Sequence, residues 1–225
     1  MKLGIQAVAF DAYGTLFDLQ SVTARCNRKF PGQGAALSQL WRAKQMEYTW
    51  LRSLTGRYED FWTVTESALS FACNSLSLAC PPETRRELTE SYLHLEVFPD
   101  VRPMLAKLSQ YKLAILSNGS PKMLAAAEES AGLRGVFTAV ISADEVKIYK
   151  PSPRVYGLIS QRLGVPERTV GFVSSNFWDI AGAKTCGFWT CWANRSNLPE
   201  DRLAVRPDVT VNTLDGLIGV LGGMT

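Results

Sequence analysis

The chain has 225 residues, 46% of them hydrophobic and 20% charged, so it can bury a full core and is no disordered tail, collagen-like repeat or low-complexity segment. Lys plus Arg number 24 against 21 Asp plus Glu, a formal net charge of +3, and the signs are interspersed, which argues against a nucleic-acid or anionic-membrane partner. One large domain, or one domain with a sizeable insertion, fits this length.

The run from Met1 to Phe10 has too short an apolar stretch for a signal-peptide core and ends at Asp11 without a small-residue cleavage pattern. No stretch approaches the ~18 apolar residues of a membrane span, so a cytoplasmic protein is expected. Ala7 to Phe10 runs into the polar loop Asp11-Ala12-Tyr13-Gly14-Thr15, as a buried parallel strand does when its carboxyl end faces a site. Residues from about 17 to 97 show no strand-like run. There Leu37, Leu40, Trp41, Tyr48 and Leu51 follow the spacing of one buried helix face, with Arg42 and Met46 together on another. A second helix is expected from about Glu59 to Leu78, stopping before Pro81-Pro82, and a third from about Glu83 to Glu96.

The strand pattern then recurs. Leu113 to Leu116 runs into Ser117-Asn118-Gly119-Ser120, Val136 to Ile141 leads into a longer loop ending at Lys150-Pro151, and Val170 to Val173 runs into Ser174-Ser175-Asn176. Helices are expected over Val101 to Gln110, Pro121 to Ala131, Pro153 to Leu163 and Trp178 to Cys186. Ser120-Pro121 and Ser152-Pro153 each place a capping hydroxyl before a first-turn proline. A strand near Val209 to Val211 and a helix from Thr213 complete the chain. Alternation of this kind predicts an α/β fold, a doubly wound, Rossmann-like parallel sheet with an inserted helical subdomain, whose ligand lies beyond the carboxyl ends of the strands.

Cys26, Cys73, Cys80, Cys186 and Cys191 are odd in number and form no C-x-x-C pair, so they read as apolar thiols in a reducing compartment. The single histidine, His94, reads as a surface or subdomain residue and leaves no cluster for a transition metal. The strand ends together supply a carboxylate at Asp11, polar groups at Ser117 and Asn118, an ammonium at Lys150, and Ser174, Asn176 and Asp179. Singly, Asp11 reads as a helix cap, Lys150 as solvated and Ser117 as a strand end. In order and all at strand ends, they point to a nucleophile, an anion-binding loop and a neutralising cation in one crevice.

Phe10 to Asp18, Leu116 to Ser120, Lys150-Pro151 and Ser174 to Asp179 together resemble the four motifs of the haloacid dehalogenase superfamily. Within it, Trp41-Arg42, Tyr48 to Arg52 and Val173 to Asp179 are most similar to L-2-haloacid dehalogenases. The resemblance implies a core of residues 1–16 and 98–225, a helical cap of residues 17–97, and hydrolysis of (S)-2-haloalkanoic acids to (R)-2-hydroxyalkanoic acids with inversion. Asp11 would attack C2 and form an aspartyl ester. Lys150 would relieve charge repulsion, with Tyr156 positioning it, and Thr15 would orient Asp11. Ser117 and the backbone amides of Ala12 and Tyr13 would hold the substrate carboxylate, while Arg42 and Asn118 receive the halide. Asp179, Ser174 and Asn176 would hold and activate the hydrolytic water. Tyr13, Met46, Phe61 and Trp178 would form an apolar wall, with plain packing the competing reading of Met46 and Phe61, and a surface charge that of Arg42.

Two departures separate the chain from the superfamily's phosphatases. Tyr13 stands where those enzymes carry a second Asp to protonate an alkoxide, and a departing halide needs no proton. Ser175 replaces one of the fourth-motif carboxylates that hold Mg²⁺, so no metal and no cofactor is expected. The rival readings are a Mg-dependent phosphatase and a catalytically silent binding protein on the same fold. Trp41, Tyr48, Trp50 and Trp62 offer more aromatic surface than a small cap needs, and with the resemblance they suggest a homodimer.

Overall fold

The computed structural model describes residues 4–223; the expected outer bounds of the core, 1 and 225, and the start of the N-terminal run lie outside them. β1, Ala7–Phe10, is buried at every position, the mark of a strand covered on both faces. The helices of the insertion follow: α1 over Gln20–Lys29, α2 over Gly34–Leu54, α3 over Phe61–Ser75 and α4 over Pro82–Glu90. After it come α5 (Val101–Lys107), β2 (Lys112–Ser117), α6 (Pro121–Ser130), β3 (Ala139–Ser142), α7 (Pro153–Leu163), β4 (Val170–Ser174), α8 (Phe177–Thr185), β5 (Trp189–Ala193), β6 (Val209–Val211) and α9 (Asp215–Gly222).

The six strands form one parallel sheet in the order β3-β2-β1-β4-β5-β6. The chain steps outward from β1 to β3, jumps back to β4 and steps outward the other way. Right-handed connections of opposite progression put helices on opposite faces and open a crevice at the reversal, beyond the carboxyl ends of β1 and β4. Register pairs Phe10 with Ile115 and with Val173, so Asp11 leaves the sheet between the ends of β2 and β4. The chain departs for the helical insertion at Phe17 and returns at Val97. These two residues form an antiparallel bridge, closed by Asp18 N–H to Glu96 O at 2.8 Å and Phe98 N–H to Leu16 O at 3.1 Å.

Several elements differ from the sequence reading. β5 was not foreseen, nor was α1. The third strand starts at Ala139, because a turn closed by Val136 N–H on Leu133 O occupies its expected beginning. The helix at Val101 ends at Lys107 in a turn that buries Tyr111. α3 is shorter at both ends, capped by Asp60, whose Oδ1 accepts from Thr63 N–H at 3.0 Å. α4 stops at Glu90 and gives way to a 3₁₀ turn over Ser91–Leu93, while Pro82 opens it instead of only ending its predecessor. Ser120 caps α6 through Met123 N–H; Ser152 makes no such bond. On α2 the buried face is Leu37, Trp41, Gln45 and Thr49, and Leu51 is exposed, because successive four-residue steps keep to one stripe.

His94 is exposed. The five cysteines are free, three buried and two partly so; burial pushes the Cys26 thiol up to about 11 and that of Cys191 to about 12. Among the described residues, no helix is long and apolar enough to cross a membrane.

Candidate active site

Four strand ends deliver the polar groups to one point. Asp11 follows β1, Ser117 and Asn118 end β2, Lys150 closes the loop after β3, and Ser174 ends β4, with Asn176 and Asp179 at the start of α8. Gly14, at φ +88°, turns the chain behind Asp11 in a conformation that an L side chain rarely adopts, and so brings Thr15 back toward it.

Lys150 is the hub. Its Nζ lies 2.9 Å from Asp11 Oδ1 and 2.7 Å from Asp179 Oδ2, and all three residues are buried. Burial alone would lower the Lys150 pKa, but Asp11 and Asp179 outweigh it and hold the ammonium above its ordinary value. Burial pushes Asp179 up to about 6, opposed by Lys150 and reinforced by Asp11. The other oxygen of Asp11, Oδ2, accepts from Thr15 Oγ1 and Asn176 Nδ2, both at 3.0 Å, and from Ser174 Oγ at 3.4 Å. Each carboxylate oxygen of Asp11 therefore has a donor, which fixes its plane.

The shell beyond is equally specific. Tyr156 donates its hydroxyl to Asp179 Oδ1 at 2.6 Å, so it holds Asp179 and acts on Lys150 through it. Asn118 Oδ1 accepts from Lys150 N–H at 2.9 Å, which leaves its amide nitrogen as the donor end. Ser117 Oγ accepts from Gly119 N–H at 3.1 Å and retains its own proton. Ser175 N–H donates to Thr15 Oγ1 at 2.8 Å.

The sequence model of the haloacid dehalogenase-like hydrolases matches residues 5–187, a span that contains all of these side chains. The chain belongs to the haloacid dehalogenase-like hydrolases. An (S)-2-haloacid dehalogenase from Pseudomonas sp. (strain YL) is 47% identical over 216 residues, covering 95% of this chain and 93% of its own. Haloacetate dehalogenase H-2 from Moraxella sp. (strain B) is 43% identical over 219 residues, 96% of this chain and 98% of its own. The structure of L-2-haloacid dehalogenase from Xanthobacter autotrophicus with chloropropionic acid covalently bound superposes with a TM-score of 0.91 at 40% identity, covering 98% of this chain and all of that one.

In this haloacid dehalogenase-like hydrolase the insertion adds Arg42, Met46 and Phe61 to Tyr13 and Trp178 of the core. Tyr13 stacks on Phe61 with ring centroids 6.0 Å apart and meets Tyr92 at 5.9 Å. Burial pushes the Tyr13 phenol far above its ordinary range, Tyr92 adds to the rise and the Arg42 cation opposes it, which places Arg42 within electrostatic reach of Tyr13. The Tyr13 hydroxyl has no partner among the described residues. Met46 is buried one turn beyond Arg42 on α2, and Trp178 meets Trp50 edge-on at 5.7 Å. Trp41, a candidate contact between copies, is wholly buried and donates its indole N–H to Thr65 O at 2.8 Å, so it faces inward.

Three supporting residues were missed. Gln45 touches Arg42, Arg195 donates to Thr15 O at 3.1 Å from a bidentate pair with Asp100, and Trp192 donates to Ser175 O at 3.1 Å. Only the Trp192 signal, an aromatic and β-branched run after Gly187, is visible along the chain.

Proposed function

We propose that this chain is an (S)-2-haloacid dehalogenase that works through an aspartyl ester on Asp11. A carboxylate oxygen of Asp11 attacks C2 opposite the carbon–halogen bond, the new C–O bond forms as the halide departs with the bonding pair, and the centre inverts. Lys150 lowers the repulsion between this carboxylate and the anionic substrate. Ser117 and the amides after Asp11 bind the substrate carboxylate. Arg42 and the Asn118 amide nitrogen receive the halide, where fixed donors stabilise the developing charge. Water then adds to the Asp11 carboxyl carbon, giving up a proton to Asp179. As the adduct collapses the ester C–O bond breaks, the departing alkoxide takes that proton back from Asp179 and leaves as the (R)-2-hydroxy acid, and the remaining proton passes to solvent as the Asp11 carboxylate is restored. Tyr13, Met46, Phe61 and Trp178 exclude water from the carbon chain, with the helices of residues 17–97 acting as a cap.

The observation that carries this reading is the Lys150 ammonium lodged between the Asp11 and Asp179 carboxylates, with Tyr13 in place of an acid and Ser175 in place of a carboxylate. That arrangement suits an anionic substrate with a leaving group that needs no proton, and it works without metal or cofactor. A homodimer fits the α2 face, where Trp50, Leu51 and Leu54 are exposed beside a groove of 640 Å³ that Trp178 and Leu203 also line; the unpaired thiols suit the cytoplasm.

One turnover in ¹⁸O-water with enzyme in excess tests the ester. The expected result is largely unlabelled 2-hydroxy acid and label in the peptide that contains Asp11, because water attacks the ester at the carboxyl carbon of Asp11. Label in the first-turnover product would make Asp11 a general base and rule out the ester.

A further inference from the structure

Gln45 has no part in the chemistry above, yet it is a fully buried amide in direct contact with Arg42. Arg42 Nη1 donates to Gln45 Oε1 at 2.6 Å, Gln45 Nε2 donates to Thr65 Oγ1 at 2.7 Å, and Thr65 Oγ1 donates to Phe61 O at 2.6 Å. The direction of this chain follows from counting protons. The Thr65 hydroxyl has one, which goes to the Phe61 carbonyl four residues back on α3, so Thr65 faces Gln45 as an acceptor. An amide beside an acceptor must present its NH₂ group there, and its oxygen is thereby turned to the guanidinium. The reverse orientation would oppose donor to donor at Arg42 and leave two oxygens facing each other at Thr65.

The anchor is rigid on both sides. Trp41, one turn before Gln45, donates its indole N–H to the Thr65 carbonyl at 2.8 Å, so α2 and α3 are joined at Thr65 through both its hydroxyl and its backbone. The Phe61 carbonyl that ends the chain belongs to the residue whose ring stacks on Tyr13. A neutral acceptor has a further consequence. A carboxylate at this position would also hold the guanidinium, but it would cancel the charge that a departing halide needs.

We infer that Gln45, oriented by Thr65, is a positioning residue that aims the Arg42 guanidinium at the leaving halide while leaving its charge unneutralised. This rests on the reading of Arg42 as the halide acceptor. A misaimed cation costs most where the departing ion is small and concentrates its charge, so the loss depends on the halogen, which a general packing defect does not reproduce.

The experiment compares kcat/KM, which reports ester formation, for (S)-2-chloropropionate and (S)-2-iodopropionate, together with thermal melting, in Gln45→Leu, Gln45→Glu, Thr65→Val, Thr65→Ser and Arg42→Ala. Gln45→Leu and Thr65→Val are expected to lose about tenfold to a hundredfold on the chloro acid and about threefold or less on the iodo acid. Thr65→Ser, which keeps the acceptor, recovers most of the rate. Gln45→Glu keeps the geometry, neutralises the cation and shows the same halogen bias. Equal losses on both substrates, or no loss, overturn the inference. Should Gln45→Leu fail to fold, the Thr65→Val and Thr65→Ser pair decides by the same ratio. If Arg42→Ala shows the bias and the Gln45 and Thr65 variants do not, Arg42 keeps its role and the relay alone is refuted. If Arg42→Ala lacks the bias, the halide role of Arg42 falls and the relay falls with it.

Discussion

Replacing Tyr156 with Phe removes one hydroxyl and keeps the ring that packs edge-on against Phe172 at 5.6 Å. The lost bond is the one to Asp179 Oδ1 at 2.6 Å, and a hydrogen bond to a charged acceptor contributes about 1.5–3 kcal/mol. At 1.36 kcal/mol per pH unit this moves the Asp179 pKa up by about 1–2 units, since the bond favours the ionised form. Asp179 is expected to act as a carboxylate, so activity is lost as pH falls through its pKa: about 6 in the native chain and about 7–8 in the variant. In the ester intermediate Asp11 is uncharged and no longer raises Asp179, so both limbs lie lower while the gap between them stays. The assay is the decay of the Asp11 ester, trapped by acid quench and weighed as a peptide, from about pH 5 to about pH 9. The variant should approach the native rate at the alkaline end and fall behind by about tenfold or more near the native limb. A loss by one constant factor at every pH would refute the reasoning. Stability carries the opposite sign: the folded Asp179 binds its proton more readily than the unfolded chain does, so ionising it weakens the fold as pH rises toward about 6.

Gly182→Ala would drive a methyl into the Tyr156 hydroxyl and to 2.7 Å from the Pro151 ring; a loss of about 1–3 kcal/mol in urea unfolding is expected, with the same upward shift of the acid limb. Lys150→Met leaves Asp11 and Asp179 buried without their shared counter-charge, so it should be inactive and about 3–5 kcal/mol less stable at neutral pH, with part of that recovered in acid. An unchanged neutral melting curve would contradict the hub. Excess EDTA should leave halide release intact, and added Mg²⁺ should evoke no phosphatase activity; inhibition by the chelator, reversed by Mg²⁺, would overturn the metal-free reading. Leu54→Glu, at a residue 84% exposed, should convert a dimer to a monomer in sedimentation, and no change would place the contact elsewhere.

What could be read along the chain was whatever repeats locally. An apolar run followed by a polar loop marks β1, β2 and β4 and puts Asp11, Ser117 and Ser174 where they are found, because the strands are parallel and all end on one side. β5 escaped although the aromatic residues and Thr190 after Gly187 favour a strand, because Thr190 and Cys191 interrupt the plain apolar run that marks β1, β2 and β4; burial at every position identifies it. The route by which Tyr156 bears on Lys150 was hidden for a different reason: its hydroxyl crosses from α7 to Asp179 on α8, and spacing counted from Lys150 carries no information about a neighbouring helix. Gln45 was passed over because amides are mostly exposed, and its burial depends on Arg42 and Thr65 being ready to bond it.

The bridge between Phe17 and Val97 means that the chain leaves the core for the helical insertion and returns from it at one place, although side-chain contacts such as Tyr58 to Asp144 and Ser53 to Tyr149 also join the two. A segment whose two ends already touch can grow, shrink or be exchanged without stretching the scaffold that bears it, since its ends meet whatever lies between them. Arg42, Gln45, Met46 and Phe61 all lie on that side of the bridge, whereas Asp11, Lys150 and Asp179 lie on the other. On the proposed roles, exchange of this segment would alter Arg42, Met46 and Phe61 while leaving Asp11, Lys150 and Asp179, together with Tyr13, Asn118 and Trp178, in place, and chimaeras joined at Phe17 and Val97 are the natural units for that exchange.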